Sequence, residues 1–389
     1  VWVVVNGEIY NYLELAEELR RRGHRLRDQG DTEVLVHLWE EHGPALVERL
    51  VGMFALAIYD TARDVLFLAR DRFGQKPLFY RPGPGPFLFG SELQALLAAT
   101  EYVPREPDPM ALAQYFRHGF IPNPHTAYRG LYALPPGHTL VRRSGGKIET
   151  RQYWRPVVTG EVAEADLAEL QELLDRAVQM QLRSDVPCGV FLSGGIDSAL
   201  VAATACRQSD SQVQTFTVAS GHPWFDESAT ARLTAGHLGT DHHELSAEPD
   251  LVAASERLAR HFGQPFADHS AMPTYCVSRA GRSRVTVALS GDGGDELFAG
   301  YGSYRHARHH AWLGRVPWPM RAALAGGLRR LPGAVRLGRL PDALYAAAPL
   351  PEKGGSHAHL FHRHWREMAF QPEFATLLVG SEAAEQDVF

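Results

Sequence analysis

Apolar residues recur along this chain at two periods, and the changes between them mark its elements. The β-branched and aromatic runs at Val1–Val5, Met53–Tyr59, Val65–Ala69 and Pro77–Tyr80 each predict a strand. Between them, Leu13–Arg22 and Glu33–His42 carry apolar residues at helical spacing and predict amphipathic helices. The Pro- and Gly-rich stretch Arg81–Pro86 predicts a loop between strands, Leu134–His138 a turn, and Ser144–Lys147 a hairpin tip. From Arg151 to Glu164 the pattern lapses into a linker. Leu167, Leu170, Leu174, Val178 and Leu182 then return at helical spacing, and the apolar run Cys188–Leu192 follows as a strand. Alternation of strands and helices as far as a second such run, Val285–Leu289, predicts a doubly wound parallel sheet. Beyond Tyr301 the pattern turns helical and rich in Arg, Ala, Leu and His.

Each of these two later strands runs into a glycine-rich turn. The first is Ser193-Gly194-Gly195-Ile196-Asp197-Ser198. Gly194 and Gly195 carry no Cβ, so backbone N–H groups can approach a polyanion, and the positive end of the following helix favours negative charge. Ser193 and Ser198 add hydroxyl donors, and Asp197 is placed to hold a magnesium ion between phosphate oxygens. No Walker-type loop ending in Gly-Lys-Ser/Thr occurs, so this is a phosphate loop of another kind. The second turn is Ser290-Gly291-Asp292-Gly293-Gly294-Asp295-Glu296, with carboxylates for a metal and backbone donors for a phosphate. Taken alone, either turn is an ordinary way to join a strand to a helix. Two of them, each ending a strand of a parallel sheet, point to one nucleotide at the sheet's carboxyl edge.

With Phe225-Asp226-Glu227-Ser228, His237–Glu244 and Ala288–Tyr301, the first loop resembles the glutamine-hydrolysing asparagine synthetase family. The opening segment Asn6-Gly7-Glu8-Ile9-Tyr10-Asn11 is similar to that family's glutamine-site signature, and Asp31-Thr32-Glu33 and Arg70–Leu78 follow in the family's order. The resemblance implies an amino-terminal-nucleophile hydrolase-type α/β/β/α sandwich over residues 1–154. A doubly wound parallel α/β ATP-pyrophosphatase domain with a helical C-terminal part is implied over 165–389. By the same resemblance Asn6 and Gly7 supply donors to the oxyanion of amide hydrolysis, and Glu8 and Asp31 hold the α-amino group of glutamine. Ser193, Gly194, Gly195, Asp197, Ser198, Val218, Ser290 and Gly291 match nucleotide contacts, and Asp197 and Asp295 match magnesium ligands. Asp292 stands where many members carry Glu, at a position that serves the intermediate, and other branches carry Asp there.

The implied reaction is ATP-dependent amidation of aspartate to asparagine through a β-aspartyl adenylate, with ATP and Mg²⁺ and with glutamine as nitrogen donor. The implied partners are the small molecules glutamine, aspartate and ATP, and a homodimer is left open. An amidotransferase of the same family acting on another carboxylate, such as a peptide, an antibiotic precursor or a surface-sugar acid, fits the same motifs. An intramolecular amide-forming enzyme is opposed by the intact Asn6–Asn11 and Asp31–Glu33 segments. A non-catalytic nucleotide-binding relative is opposed by the presence of Asp197 and Asp295. Members carry a nucleophilic Cys upstream of the glutamine-site signature, and Cys188, Cys206 and Cys276 do not match it. Lys353 likewise does not match the family's catalytic Lys. The chain is therefore expected to lack both ends, the glutamine-binding Arg among the missing parts.

Composition narrows the classes of function. The 389 residues suffice for two or three domains, and a net charge of −6 argues against a nucleic-acid partner. The 3 cysteines form no paired framework, which fits a reducing cytoplasm, and no apolar run reaches membrane-spanning length. His357, His359, His362 and His364 match neither a zinc-finger nor an HExxH spacing, so an amphipathic face is the expected reading. His242-His243-Glu244 is expected to be structural, and Arg305–His310 a solvated helix face.

Overall fold

In a computed structural model, the structure describes residues 1–157, 166–219, 226–246, 250–268 and 270–301, with Tyr304, Pro317, Pro319, Met320, Ala323 and Leu324 beyond them. The chain divides into two compact units. One comprises Val1–Glu106, Asn123–Gln264 and Ser270–Ser290, the other Pro107–Pro122, Pro265–His269 and Gly291–Phe389.

The first part of the larger unit rests on two antiparallel sheets. Strands β1 (Trp2–Ile9), β2 (Gly52–Asp60), β3 (Val65–Arg70), β7 (His138–Arg143) and β8 (Ile148–Gln152) lie side by side in that order. Strands β4 (Phe79–Arg81), β5 (Leu88–Gly90) and β6 (Tyr132–Ala133) make the smaller sheet, ordered β5-β4-β6. The period-two alternation of side chains on β2 explains the layering. Phe54, Leu56 and Ile58 face a core shared with Leu15, Leu19, Leu35, Leu38 and Trp39 of helices α1 (Tyr12–Arg21) and α2 (Asp31–His42). Ala55 and Ala57 face the other way, into a core with Leu68, Leu78, Leu134 and Leu140 against which Tyr80 and Phe87 pack. On the far side of the smaller sheet, Phe79 and Leu88 meet Leu93, Leu96 and Leu97 of α3 (Leu93–Leu97). Helices, sheet, sheet and helix thus stack as an α/β/β/α sandwich.

The second part of this unit is a parallel sheet of β9 (Cys188–Phe191), β10 (Gln214–Ala219), β11 (Asp241–Ser246) and β12 (Val287–Leu289), ordered β11-β10-β9-β12. With it go α5 (Leu167–Gln181), α6 (Ile196–Gln208), α7 (Ser228–Leu238), α8 (Leu251–Phe262) and α9 (Ala271–Gly281). The chain leaves β9 through α6 to β10 on one side, and returns later to lay β12 on the other. Such a reversal beside the first strand is where open α/β sheets bind ligands. Two helices belong to the smaller unit, α4 (Pro109–His118) and α10 (Gly294–Phe298). Helix α4 starts where the Asp108 carboxylate accepts the Met110 and Ala111 N–H groups, with Pro109 at its first position.

Several boundaries differ from the pattern-based expectation. Helix α2 begins at Asp31, two residues ahead of the apolar periodicity, because its first turn is polar. Strand β12 begins at Val287, since the N–H groups of Thr286 and Val287 both turn to the Pro187 carbonyl. Arg151 and Gln152 belong to β8 and not to a linker. The helical stretch expected beyond Tyr301 lies mostly outside the described residues.

Candidate active sites

Asn6, Gly7 and Glu8 follow one another on β1, opposite Ala55, Phe54 and Met53 of β2. Gly7 has φ +146°, and a Cβ there would overlap the Met53 carbonyl oxygen. Across the pair, a Cβ on Gly52 would overlap the Glu8 carbonyl oxygen. Glycine on both strands is what permits this approach. Just past the strand, Asn11 clamps the turn: its Nδ2 donates to the Arg49 carbonyl at 3.0 Å and its Oδ1 accepts the Val51 N–H at 2.9 Å.

Asp31 opens α2, and its Oδ2 accepts the Ile9 N–H at 2.9 Å, which draws its carboxylate to Glu8. Burial, and then the Asp31 charge, raise the Glu8 carboxyl above 4.5; Lys76 opposes the shift and Asp185 adds to it. Two carboxylates of which one raises the other's pKa favour a cation between them. The neighbouring Tyr10 phenol is pushed up to about 12 by burial and then by the charges of Glu8 and Asp71.

The Arg70–Leu78 segment folds around one fully buried carboxylate, that of Asp71. Asp71 Oδ1 accepts the N–H groups of Phe73 and Gln75 at 3.1 and 3.0 Å, and Oδ2 those of Lys76 and Phe54 at 3.0 and 3.2 Å. The Arg70 guanidinium donates to the carbonyls of Lys76, Leu134 and Gly74, each at 2.8 Å. Burial lowers the pKa of this guanidinium. Asp71 thereby fixes the backbone of Lys76, whose charge acts on Glu8. No spacing rule marks Asp71 as an organiser, because its four donors come from loop backbone and from β2.

In the parallel sheet, the Ser193–Ser198 loop follows β9 and is braced by its own hydroxyls. Ser198 Oγ accepts the Ser193 N–H at 3.1 Å, lies 2.9 Å from Ser193 Oγ, and donates to the Gly195 carbonyl at 3.2 Å. Ser193 Oγ accepts the Gly195 N–H at 3.1 Å. Helix α6 begins directly after Gly195 with no side-chain cap, and Asp197 stands half-buried in its first turn. The Gly194 N–H is held by Glu227 Oε2 at 3.0 Å, so a carboxylate stands at the donor a phosphate would use. Glu227 lies in a segment noted above without a role; its contact with Gly194 depends on a crossover that spacing alone does not give.

Val218 lies near the carboxyl end of β10, the strand beside β9. Ser290 follows β12, which flanks β9 on its other side. Gly291, Asp292 and Asp295 belong to the smaller unit, where Asp295 lies in the first turn of α10, which follows Gly293 at φ +93°. A Cβ on Gly300 would overlap the Asp295 carboxylate, and the Gly300 N–H bonds the Asp295 carbonyl at 3.0 Å. His242 Nδ1 lies 2.9 Å from Thr215 Oγ1, and His243 stacks on Phe216 at 5.3 Å. The Glu244 carboxylate pairs with Arg232. All three residues of His242–Glu244 thus have structural partners. His357, His359, His362, His364 and Arg305–His310 lie outside the described residues. Cys188, Cys206 and Cys276 are free thiols, and no helix among the described residues is long and apolar enough to cross a membrane.

The sandwich and the parallel sheet are joined within the larger unit. Arg183, just past α5, donates to the Tyr10 carbonyl at 3.0 Å and to both Glu14 oxygens at 3.2 and 2.9 Å. This hydrogen bond, the largest cause, holds the Glu14 carboxyl below its usual range. Gln94 donates to the Arg260 carbonyl at 3.1 Å, and Gln264 accepts the Ala127 N–H at 3.1 Å.

These features define a class: an α/β/β/α sandwich joined to a parallel α/β sheet with a serine- and glycine-rich loop at its switch point. The glutamine amidotransferase domain family matches residues 1–154 and the asparagine synthase family residues 169–381. The chain belongs to the asparagine synthase family. It is 34% identical over 365 residues to asparagine synthetase [glutamine-hydrolyzing] 1 of Bacillus subtilis, covering 92% of this chain and 57% of that one. To a putative asparagine synthetase 2 of Methanocaldococcus jannaschii it is 34% identical over 324 residues, 81% of this chain and 62% of the relative. A putative asparagine synthetase of Mycobacterium tuberculosis strain H37Rv is 36% identical over 344 residues, 86% of this chain and 53% of the relative. The chain thus spans 53 to 62% of the length of these curated relatives.

Proposed function

We propose that the protein is a cytoplasmic glutamine-hydrolysing asparagine synthetase. One observation carries the reading: β9 and β12 are neighbours at the switch point, and each runs into one of the two serine–glycine–acid loops. In the sandwich, Glu8 and Asp31 hold the α-ammonium group of glutamine, while the Asn6 amide and Gly7 N–H donate to the oxyanion that develops at its side-chain carbonyl. Water takes the place of the amide nitrogen at that carbonyl carbon, so ammonia leaves and glutamate is released.

By the family resemblance, Ser193, Gly194, Gly195, Ser198, Ser290 and Gly291 hold the phosphates of ATP, Gly194 once Glu227 releases its N–H, and Val218 meets the adenine. The side-chain carboxylate of aspartate attacks the α-phosphorus, the bond to the bridging oxygen breaks, and pyrophosphate departs. Ammonia then attacks the acyl carbon of the β-aspartyl adenylate, loses a proton and expels AMP, leaving asparagine. Asp292 serves that intermediate. The family resemblance assigns Asp197 and Asp295, both hard oxygen donors, to Mg²⁺, which when bound would neutralise charge on the pyrophosphate.

Pyrophosphate release by the full-length protein, with ATP and Mg²⁺, tests this reading. Release is expected to depend on aspartate and to be sustained by glutamine or by ammonium as nitrogen donor. Release driven by another carboxylate and indifferent to aspartate would reassign the acceptor while leaving the adenylation chemistry in place.

A further inference from the structure

On the helical layer of the sandwich, His24, His37 and Glu40 bring three ligand atoms together. His24 lies in the loop after α1, whereas His37 and Glu40 are one turn apart on α2 and share a face. His24 Nδ1 is 3.1 Å from His37 Nδ1, His37 Nδ1 is 3.1 Å from Glu40 Oε2, and His24 Nδ1 is 3.6 Å from Glu40 Oε2. Tetrahedral zinc with bonds of about 2.0–2.1 Å needs its ligand atoms about 3.3–3.4 Å apart. The three measured edges straddle that value.

An ordinary hydrogen-bonded pair of histidines accounts for this cluster less well. A ring nitrogen offers one in-plane proton or one lone pair, yet His37 Nδ1 faces both His24 Nδ1 and Glu40 Oε2. A cation at the centre of the triangle takes one lone pair from each atom. The far ring nitrogen of His24 supports the same arrangement. His24 Nε2 is 2.8 Å from Glu41 Oε1, within hydrogen-bond reach, whereas His37 Nε2 is 4.0 Å from Glu33 Oε1, beyond it. A carboxylate at Nε2 keeps the proton there and turns the Nδ1 lone pair to a metal. Both imidazoles are 17% exposed and Glu40 is 50% exposed, so a fourth position opens to solvent water. Two imidazoles and one carboxylate suit zinc and its transition-metal neighbours and not magnesium.

We propose that His24 Nδ1, His37 Nδ1 and Glu40 bind a zinc-class divalent cation as a structural clip. The segment it closes, between His24 and His37, contains Asp31, whose carboxylate reaches the Ile9 N–H. The clip steadies the delivery of Asp31 to β1 and takes no part in bond making.

The test is zinc titration of the metal-stripped full chain by calorimetry, with cobalt substitution and X-ray absorption to read the ligands. His357→Gln, His359→Gln, His362→Gln and His364→Gln are combined in a second background so that this stretch does not compete. One equivalent is expected in both backgrounds, with a four-coordinate spectrum of nitrogen and oxygen donors including imidazole. His37→Ala removes it, Glu40→Gln weakens it at least about tenfold, and Glu41→Gln weakens it about tenfold. Glu40 is an exposed helix residue, so its variant decides the matter if His37→Ala fails to fold. Absence of the equivalent in the second background, or equal zinc affinity in Glu40→Gln and the parent chain, overturns the proposal.

Discussion

At Glu8, burial and the Asp31 carboxylate both work against ionisation, and an ammonium group between the two acids relieves part of that cost. A raised carboxyl pKa means that, as the solution is acidified, Glu8 is protonated at a higher pH than an ordinary Glu. Its hold on a cation is complete above that raised value and is lost as pH falls through it. The KM for glutamine is therefore expected to rise on acidification sooner than ammonium-dependent synthesis declines. Glu8→Gln is expected to raise that KM at least about tenfold, the scale of one lost charge-assisted contact, and to abolish its acid limb. Steady-state kinetics across pH with each nitrogen donor check both outcomes; an unchanged acid limb in Glu8→Gln contradicts them. Asp71 acts differently, through the four N–H groups it collects in the core. Asp71→Asn turns an amide donor toward some of those donors and is expected to destabilise the sandwich by about 2–3 kcal/mol, read as a lower denaturant midpoint.

The elements that carry chemistry are those whose local pattern and tertiary setting agree. Strand β1 was legible from its β-branched run, and the Ser193–Ser198 loop from two glycines between an apolar strand and a helix. The start of α2 was not, because Asp31 owes its position to the Ile9 N–H and the polar first turn shows no periodicity. Glu227 and Asp71 were equally hidden, since their partners are backbone groups distant in sequence. Gly7→Ala is expected to part β1 from β2 around the Met53 carbonyl. Glutaminase activity is then lost while ammonium-dependent pyrophosphate release persists. Ser198→Ala has the converse effect: it strips the hydroxyl that braces the Ser193 loop, raising the KM for ATP and sparing glutamine hydrolysis. Parallel assays of the two half-reactions separate these outcomes, and a uniform loss in both would show that neither element is local in its effect.

Across the molecule, the proposed function requires that ammonia made in the sandwich be matched to its use at the parallel sheet. Arg183 is the described residue that links the end of α5 to both the Tyr10 carbonyl and Glu14, one residue past β1 and on α1. Sequence alone did not mark it, as an Arg after a helix is commonplace and its partners lie over 160 positions upstream. Arg183→Ala is expected to leave each half-reaction active and to raise the glutamate formed per asparagine; an unchanged ratio assigns Arg183 to packing alone. The central claim, that a side-chain carboxylate attacks the α-phosphorus of ATP, has a direct isotopic test. Aspartate labelled with oxygen-18 in its side-chain carboxylate is turned over with ATP, Mg²⁺ and glutamine, and the nucleotide and phosphate products are weighed by mass spectrometry. One labelled oxygen in AMP, with unlabelled pyrophosphate, is the predicted result. Label in inorganic phosphate together with ADP would mean attack at the γ-phosphorus and would contradict the account.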